Sequence, residues 1–346
     1  MKPITSVLAV TAGLLAVSLI AFNSGNFNAS FPARVEEAWA NFKLTHNKVY
    51  ATPVEHNFRK AVFLKNFLEI EMINANPKYT FKAAVFHHAD LTLEEKRARY
   101  TGARPELNRK GPKTPAPQVG LEQLQQSPDI DWVAKGVVSP IQNQGQCGSC
   151  WAFSSTSNIE SVNACATGKL LKLSEQQFVD CSSGYGNMGC NGGWMDNAFQ
   201  YAEVYGDESE NAYPYTATTN SCKYQKSAVI ANIVSYKDQP SCPQVMNALQ
   251  TSTVSVAIAV VNSFYSYTSG IYNDATCNTA QIDHAIVITG WKSNNGSPYW
   301  IVRNSWGTGW GQAGYIWMTA GPTAGMAPGN ICQICNYATQ ATPGNI

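Results

Sequence analysis

The first 146 residues contain no cysteine; all ten lie at or beyond Cys147. Disulfide bracing is thereby confined to the later part of the chain, and it implies an oxidising compartment. Charge is also sparse. Asp, Glu, Lys and Arg make up 14% of the 346 residues against 44% hydrophobic, which excludes a disordered chain and leaves material for a sizeable core. No basic cluster is interleaved with aromatics, which argues against a nucleic-acid partner. There is no internal repeat. Histidine is scarce: His46, His56, His87 and His88 come early, and only His284 follows.

The one long apolar run, residues 7–22, stands behind Met1-Lys2 and carries small residues at Ala16, Ser18 and Ala21. It reads as a secretory signal peptide; a membrane anchor is the alternative, at the lower limit of spanning length. Amphipathic helical patterns follow over 35–42 and 54–74, the second placing Phe58, Val62, Phe63, Phe67, Ile70 and Ile73 on one face. After Asp90-Leu91, Thr92 and Glu95 form a capping box that opens a short helix. Residues 97–126 are basic and Pro-rich, an extended linker of the kind proteases cut. The chain therefore divides into a signal peptide at 1–22, a helical segment with its linker at 23–125, and a main domain at 126–346. Counting Lys+Arg against Asp+Glu, residues 1–125 carry 16 and 10 (+6), and residues 126–346 carry 8 and 13 (−5). The two parts are suited to associate near neutral pH and to loosen in acid, where carboxylates protonate and the four early histidines charge.

Within 126–346, helical patterns come first and β-like runs follow at 254–261, 285–291, 299–303 and 315–318, an α+β layout with a cleft between two lobes. The polar, Gly-rich run Gln142-Asn143-Gln144-Gly145-Gln146-Cys147-Gly148-Ser149-Cys150 turns abruptly into an apolar helix. Cys150 stands at that helix N-terminus, where a thiolate is favoured, and a nucleophilic cysteine needs an imidazole to take its proton. His284, leading Ala285-Ile286-Val287-Ile288, is the available one. The Asn304 side-chain oxygen can fix its tautomer, Trp306 can shield that bond, and the Gln144 amide can join the Cys150 backbone N–H in an oxyanion hole. Cys147-x-x-Cys150 alone could be a redox pair, or could join Cys332-x-x-Cys335 at zinc. The first wants a βαβ setting that is absent, and the second gives His284, Asn304 and Gln144 no role.

The run from Gln144 to Ser154, with Asp283-His284-Ala285, Asn304-Ser305-Trp306-Gly307 and Gly189-Cys190-Asn191-Gly192-Gly193, resembles the papain family of cysteine proteases. Leu173-Ser174-Glu175-Gln176, Asp180-Cys181-Ser182 and Tyr213-Pro214-Tyr215 are similar to its cathepsin L branch. Glu55, Arg59, Phe63, Asn66, Ile70 and Asn74 match the spaced motif of that branch's propeptides, and Asp90-Leu91-Thr92 the end of their second motif. Ala84, Phe86 and His88 depart from it, standing where Gly, Asn and Phe are usual.

The resemblance implies a two-lobed α+β fold, with a helical left lobe and a β-barrel-like right lobe, made as a preproenzyme whose propeptide is an intramolecular inhibitor. It implies a cysteine endopeptidase acting on protein and peptide substrates through a Cys150 thiolate and a His284 imidazolium, with Asn304 orienting and Gln144 stabilising the oxyanion. Cofactor and metal are not expected. An exopeptidase and an inactive binding or storage relative are the alternatives. No long insertion after Cys190 closes the cleft, and the four site residues are intact. The substrate pocket would use Trp194, Met195, Ala257, Ile282, Ala285 and Tyr337 with Gly192 and Gly193, and would prefer a hydrophobic P2 residue. Pairings Cys147–Cys190, Cys181–Cys222 and Cys277–Cys332 are implied, leaving Cys165, Cys242 and Cys335 unassigned. The expected state is a monomer, not membrane-bound when mature, open to cystatin-like inhibitors, in a lysosome or digestive vacuole or outside the cell. A maturation cut is expected between Leu121 and Asp129. Asn28-Ala29-Ser30 and Asn295-Gly296-Ser297 are glycosylation sequons, the second in a predicted hairpin loop.

Overall fold

A computed structural model describes residues 31–108 and 127–344. The expected signal peptide, the Asn28 sequon, most of the linker and residues 121–126 of the expected cut window lie outside the described residues. The described residues form two compact units, one of Phe31–Met72 with Val85–Thr92, the other of Ile73–Ala84 with the described residues from Leu93 on.

In the first unit, helix α1 (Phe31–Thr45) packs on helix α2 (Pro53–Ala75) around Trp39, Phe42, Phe63 and Ala89. Aromatic rings do the packing: Phe63 lies 5.1 Å from Trp39 and 4.8 Å from Phe42. Helix α2 starts where it does because Thr52 accepts from the Glu55 N–H at 3.1 Å while Glu55 accepts from the Ala51 N–H at 2.9 Å, a reciprocal cap. Buried Asn66 donates to the carbonyls of Ala89 and Leu91, and Arg59 to that of Asp90. The Asp90 carboxylate accepts from Lys48 and from the Tyr50 hydroxyl, each at 2.9 Å.

In the second unit come β1 (Phe81–Ala83), helix α3 (Leu93–Tyr100) and β2 (Ile130–Asp131). Helices α4 (Cys150–Thr167), α5 (Glu175–Cys181) and α6 (Met195–Tyr205) follow, then β3 (Asp207–Glu208), β4 (Val229–Ala231) and β5 (Ile233–Asp238). Helix α7 (Cys242–Leu249) leads to β6 (Val254–Ala259), β7 (Tyr267–Tyr272), β8 (Ile282–Lys292), β9 (Tyr299–Arg303), β10 (Tyr315–Thr319) and β11 (Ala338–Pro343). Nine strands form one sheet in the order β1-β7-β10-β9-β8-β6-β11-β5, with β2 on β8. The sheet is open. Its end strands β1 and β5 do not pair, so the barrel-like element of the expectation is corrected to a mixed α+β sheet without a closed barrel.

Helix α4 is buried from Cys150 to Ala164 although half of those residues are polar. Its polar side chains are used against the sheet. Asn158 donates to the Thr253 carbonyl at 2.7 Å and accepts from Ala341 N–H at 2.8 Å, and Ser154 donates to the Ile286 carbonyl at 2.8 Å. These bonds lock α4 against β6, β8 and β11. Four disulfides brace the unit: Cys147–Cys190, Cys181–Cys222, Cys277–Cys332 and a pairing not assigned from sequence, Cys242–Cys335. Cys150 and Cys165 are free thiols, the first buried and the second exposed.

Candidate active site

Cys150 is the first residue of α4, behind a loop that needs Gly145 at φ +63°. His284 lies near the start of β8, opposite Ile258 of β6, where a β-bulge between Ile258 and Ala259 shifts the register. Bulges bend a strand and re-aim its side chains. The Cys150 sulfur accepts from the Ala285 N–H at 3.4 Å, so the strand carrying the imidazole also touches the thiol.

His284 Nε2 lies 2.8 Å from Asn304 Oδ1. An amide oxygen can only accept, so Nε2 carries the proton and Nδ1 is left as the basic nitrogen. That Nδ1 is buried without a hydrogen-bond partner among the described residues. Asn304 Oδ1 is itself held by the Ser305 N–H at 2.8 Å. Trp306 stacks on the imidazole at 4.8 Å and on Tyr265 at 5.0 Å, a wall that keeps water from the His–Asn bond. Gln144 is wholly buried. Its Oε1 accepts from the Ser305 hydroxyl at 2.6 Å, which fixes the amide, and its Nε2 donates to the Cys147 carbonyl at 2.9 Å with one N–H left over.

The cleft is filled by the chain's own residues 100–108. The Tyr100 carbonyl accepts from Trp306 Nε1 at 3.0 Å. The N–H groups of Gly102 and Ala103 both donate to the Asp283 carbonyl, and Gly193 exchanges bonds with Gly102 and Arg104. Ala103 pairs in parallel with Gly193 and is buried in one cluster with Cys150, Trp194, Met195, Ala257, Ile282 and Ala285. Tyr337 borders this cluster, edge-on to Trp194 at 5.4 Å, and Gly192 adjoins it at φ +112°. A side chain on Gly102 would meet the Gly148 carbonyl oxygen at 2.1 Å, so only glycine lets this strap lie flat.

Under the strap, burial favours the neutral form of both groups. Burial pushes the Cys150 thiol up to about 12, against hydrogen bonds from the N–H groups of Ala285, Trp151 and Ala103. Burial also pushes His284 down to about 4, with the Asn304 bond opposing. Beside them Asp283 is raised by burial to about 7; its carboxylate accepts from the Val260 N–H and pairs with Arg97 of α3 at 3.1 Å. Sequence reasoning passed over Arg97, Asp283 and Ser305 as individual actors. Ser305 could have been found, since it directly follows Asn304; the Arg97 contact spans too much chain to leave a local trace. Among the described residues no cluster of His, Cys, Asp and Glu is arranged to hold a metal ion, and no helix is long and apolar enough to cross a membrane.

Residues 126–342 match the papain family cysteine protease domain, and residues 39–95 match the cathepsin propeptide inhibitor domain. Procathepsin L of Rattus norvegicus is 38% identical over 314 residues, covering 88% of this chain and 92% of the relative. Digestive cysteine proteinase 1 of Homarus americanus is 38% identical over 297 residues, covering 83% and 90%. Digestive procathepsin L 3 of Tenebrio molitor larval midgut superposes with a TM-score of 0.75 at 36% identity, covering 89% and 99%.

Proposed function

The chain belongs to the papain family of cysteine proteases, as a cathepsin L-like endopeptidase made with its propeptide inhibitor domain, and from that premise we propose a role for each residue of the site. Cys150 is the nucleophile and His284 the base. With the strap gone, water and substrate reach the pair, and the desolvation that favours both neutral forms is relieved. The proton then passes from Sγ to Nδ1, giving a thiolate at a helix N-terminus beside an imidazolium. The thiolate attacks the scissile carbonyl carbon. The resulting oxyanion takes hydrogen bonds from the Cys150 backbone N–H and the spare N–H of Gln144. Collapse of the intermediate breaks the C–N bond as His284 gives its proton to the leaving amine. Water, deprotonated by His284, then hydrolyses the thioester and restores the thiol. Asn304 holds the imidazole in the required tautomer and Trp306 shields that bond. The observation that carries this reading is the 2.8 Å Nε2–Oδ1 contact, because it leaves Nδ1 as the proton acceptor.

The propeptide spans 23–125 and the peptidase 126–346, with the strap as inhibitor. The cluster of Trp194, Met195, Ala257, Ile282 and Ala285 with Tyr337 forms the P2 pocket; all but Tyr337 are apolar and none is charged, so hydrophobic P2 residues are preferred. The mature enzyme is a monomer open to cystatin-like inhibitors. It works along the secretory route, in a lysosome or digestive vacuole or outside the cell; two of the relatives above are named digestive. The deciding experiment is hydrolysis of fluorogenic peptides with Leu, Phe or Arg at P2, after acid activation under reducing conditions, for wild type and Cys150→Ala. Activity lost only in the variant, with Leu and Phe ahead of Arg, is the expected result. Activity retained by Cys150→Ala overturns the nucleophile, and Arg cleaved as well as Leu overturns the pocket.

A further inference from the structure

We propose that Asn295 is an N-glycosylation site, taking an oligosaccharide from a lipid-diphosphate donor. Asn295-Gly296-Ser297 sits at the tip of the hairpin between β8 and β9, and all three residues are exposed. The tip projects because Asn294, Asn295 and Gly296 are in succession at φ +42°, +49° and +91°. The turn is closed by its neighbours: the Ser297 N–H donates to the Asn294 carbonyl at 3.1 Å, and Asn294 Nδ2 faces the Ser297 carbonyl at 3.5 Å. That leaves the Asn295 amide and the Ser297 hydroxyl, the two groups a transferase reads, outside the turn's own bonding. Open space surrounds the tip, since a Cβ added at Gly296 would meet nothing within 4 Å. The hairpin is also firmly based. Trp291 and Trp300 pair across it with rings 4.8 Å apart, and Ser293 is bonded through its N–H and hydroxyl to Asp129.

In the transfer, Asn295 Nδ2 forms a bond to the anomeric carbon of the donor sugar as that carbon's bond to the lipid diphosphate breaks. The diphosphate leaves with the electron pair, and the displaced amide proton goes to the transferase's base. His284 stands near the start of β8 and Asn295 in the turn just beyond its end, so the 11-residue strand sets them on the order of 30 Å apart. The oligosaccharide is therefore compatible with activity. It stands instead over the Asp129 segment, which begins the described part of the peptidase.

The site rests on entry into the secretory pathway, and the test separates the two ideas. The full chain is expressed in a eukaryotic cell, and the medium and the cell lysate are mapped by peptide mass spectrometry before and after peptide N-glycosidase. Secreted protein with carbohydrate on the Asn295 peptide, lost in both Asn295→Gln and Ser297→Ala at unchanged peptidase activity, supports the proposal. Secreted protein whose Asn295 peptide is unmodified overturns it while leaving the secretory reading intact. Chain retained in the cytosol with its leader attached overturns both.

Discussion

Replacing Asp207 by Asn should make the precursor more stable at pH 8 and leave it nearly unchanged at pH 4.5. Asp207 is fully buried at the start of β3; its carboxylate oxygens find no side-chain partner among the described residues, and the Ser174 backbone N–H lies close enough to oppose the shift. The charged and titratable groups around it are Glu160 of α4, Lys172, Glu175 of α5, Tyr201 of α6, and Glu208 and Glu210 on its own segment. The single ammonium is already engaged, 2.7 Å from Glu175 and 3.2 Å from Glu160. Burial first, and Glu175 second, hold the Asp207 carboxyl well above the usual range. Burial raises Glu175 itself to about 7. An acid whose folded value is raised costs nothing at low pH, where folded and unfolded chains both carry the proton. Above about pH 4 the unfolded chain releases that proton while the folded chain keeps it, so stability falls as pH climbs toward the folded value. For Glu175 the rise from 4.5 to about 7 corresponds to roughly 3 kcal/mol. Asp207 is shifted in the same direction by the same burial, so its penalty has the same sign. In a domain of this size each 1 kcal/mol is worth roughly 2–4 °C in Tm. The assay is thermal unfolding of a Cys150→Ala precursor, with and without Asp207→Asn, at both pH values. An equal gain at pH 4.5 and pH 8, or none at pH 8, refutes the reasoning.

Gly102→Ala should lift the strap off Gly148, and unprocessed precursor carrying it should cleave a fluorogenic peptide well above the wild-type background; equal background rates would show that the strap tolerates a methyl group. Asn304→Ala should reduce kcat by about 10²-fold with little change in KM, because it frees the tautomer without altering the pocket; a KM effect alone would contradict an orienting role. His87 is exposed yet lowered by desolvation, with Lys48 and His46 acting in the same direction and Asp90 against, so the fold around it is favoured above about pH 6.5 and weakly disfavoured below. His87→Gln should therefore slow maturation at pH 4.5 and leave it unchanged at pH 7, followed by gel densitometry; identical rates at pH 4.5 would remove His87 from the switch. Replacing Cys242 and Cys335 by Ala opens a bridge 93 residues apart in sequence and should cost about 2–5 kcal/mol in denaturant unfolding, against a negligible loss for Cys165→Ala.

The features most legible in sequence are those whose chemistry is local. Cys150 at a loop–helix junction, the single late histidine and the Asn304-Ser305-Trp306 run could each be read from neighbours a few residues away. Helix α2 was legible too, since its apolar spacing lies within one segment; its Thr52–Glu55 cap was not read in advance. What stayed hidden depends on pairing between distant segments. Three leftover cysteines gave no reason to join Cys242 to Cys335 rather than to Cys165. Arg97 meets Asp283 only after the whole domain has folded. Whether the sheet closes was hidden for a related reason: alternation predicts strands, but closure depends on registers and bulges such as the one opposite His284. Nothing in the polar stretch around Asp207 announces its burial.

The two free thiols face opposite surroundings, and that contrast turns the chain into its own gauge of maturation. In the precursor the strap covers Cys150, while Cys165 is exposed at the far end of the same helix. An alkylating reagent applied briefly should mark one sulfur per precursor molecule and two per mature molecule. Label counted per chain then reports the processed fraction of a mixed sample without a substrate.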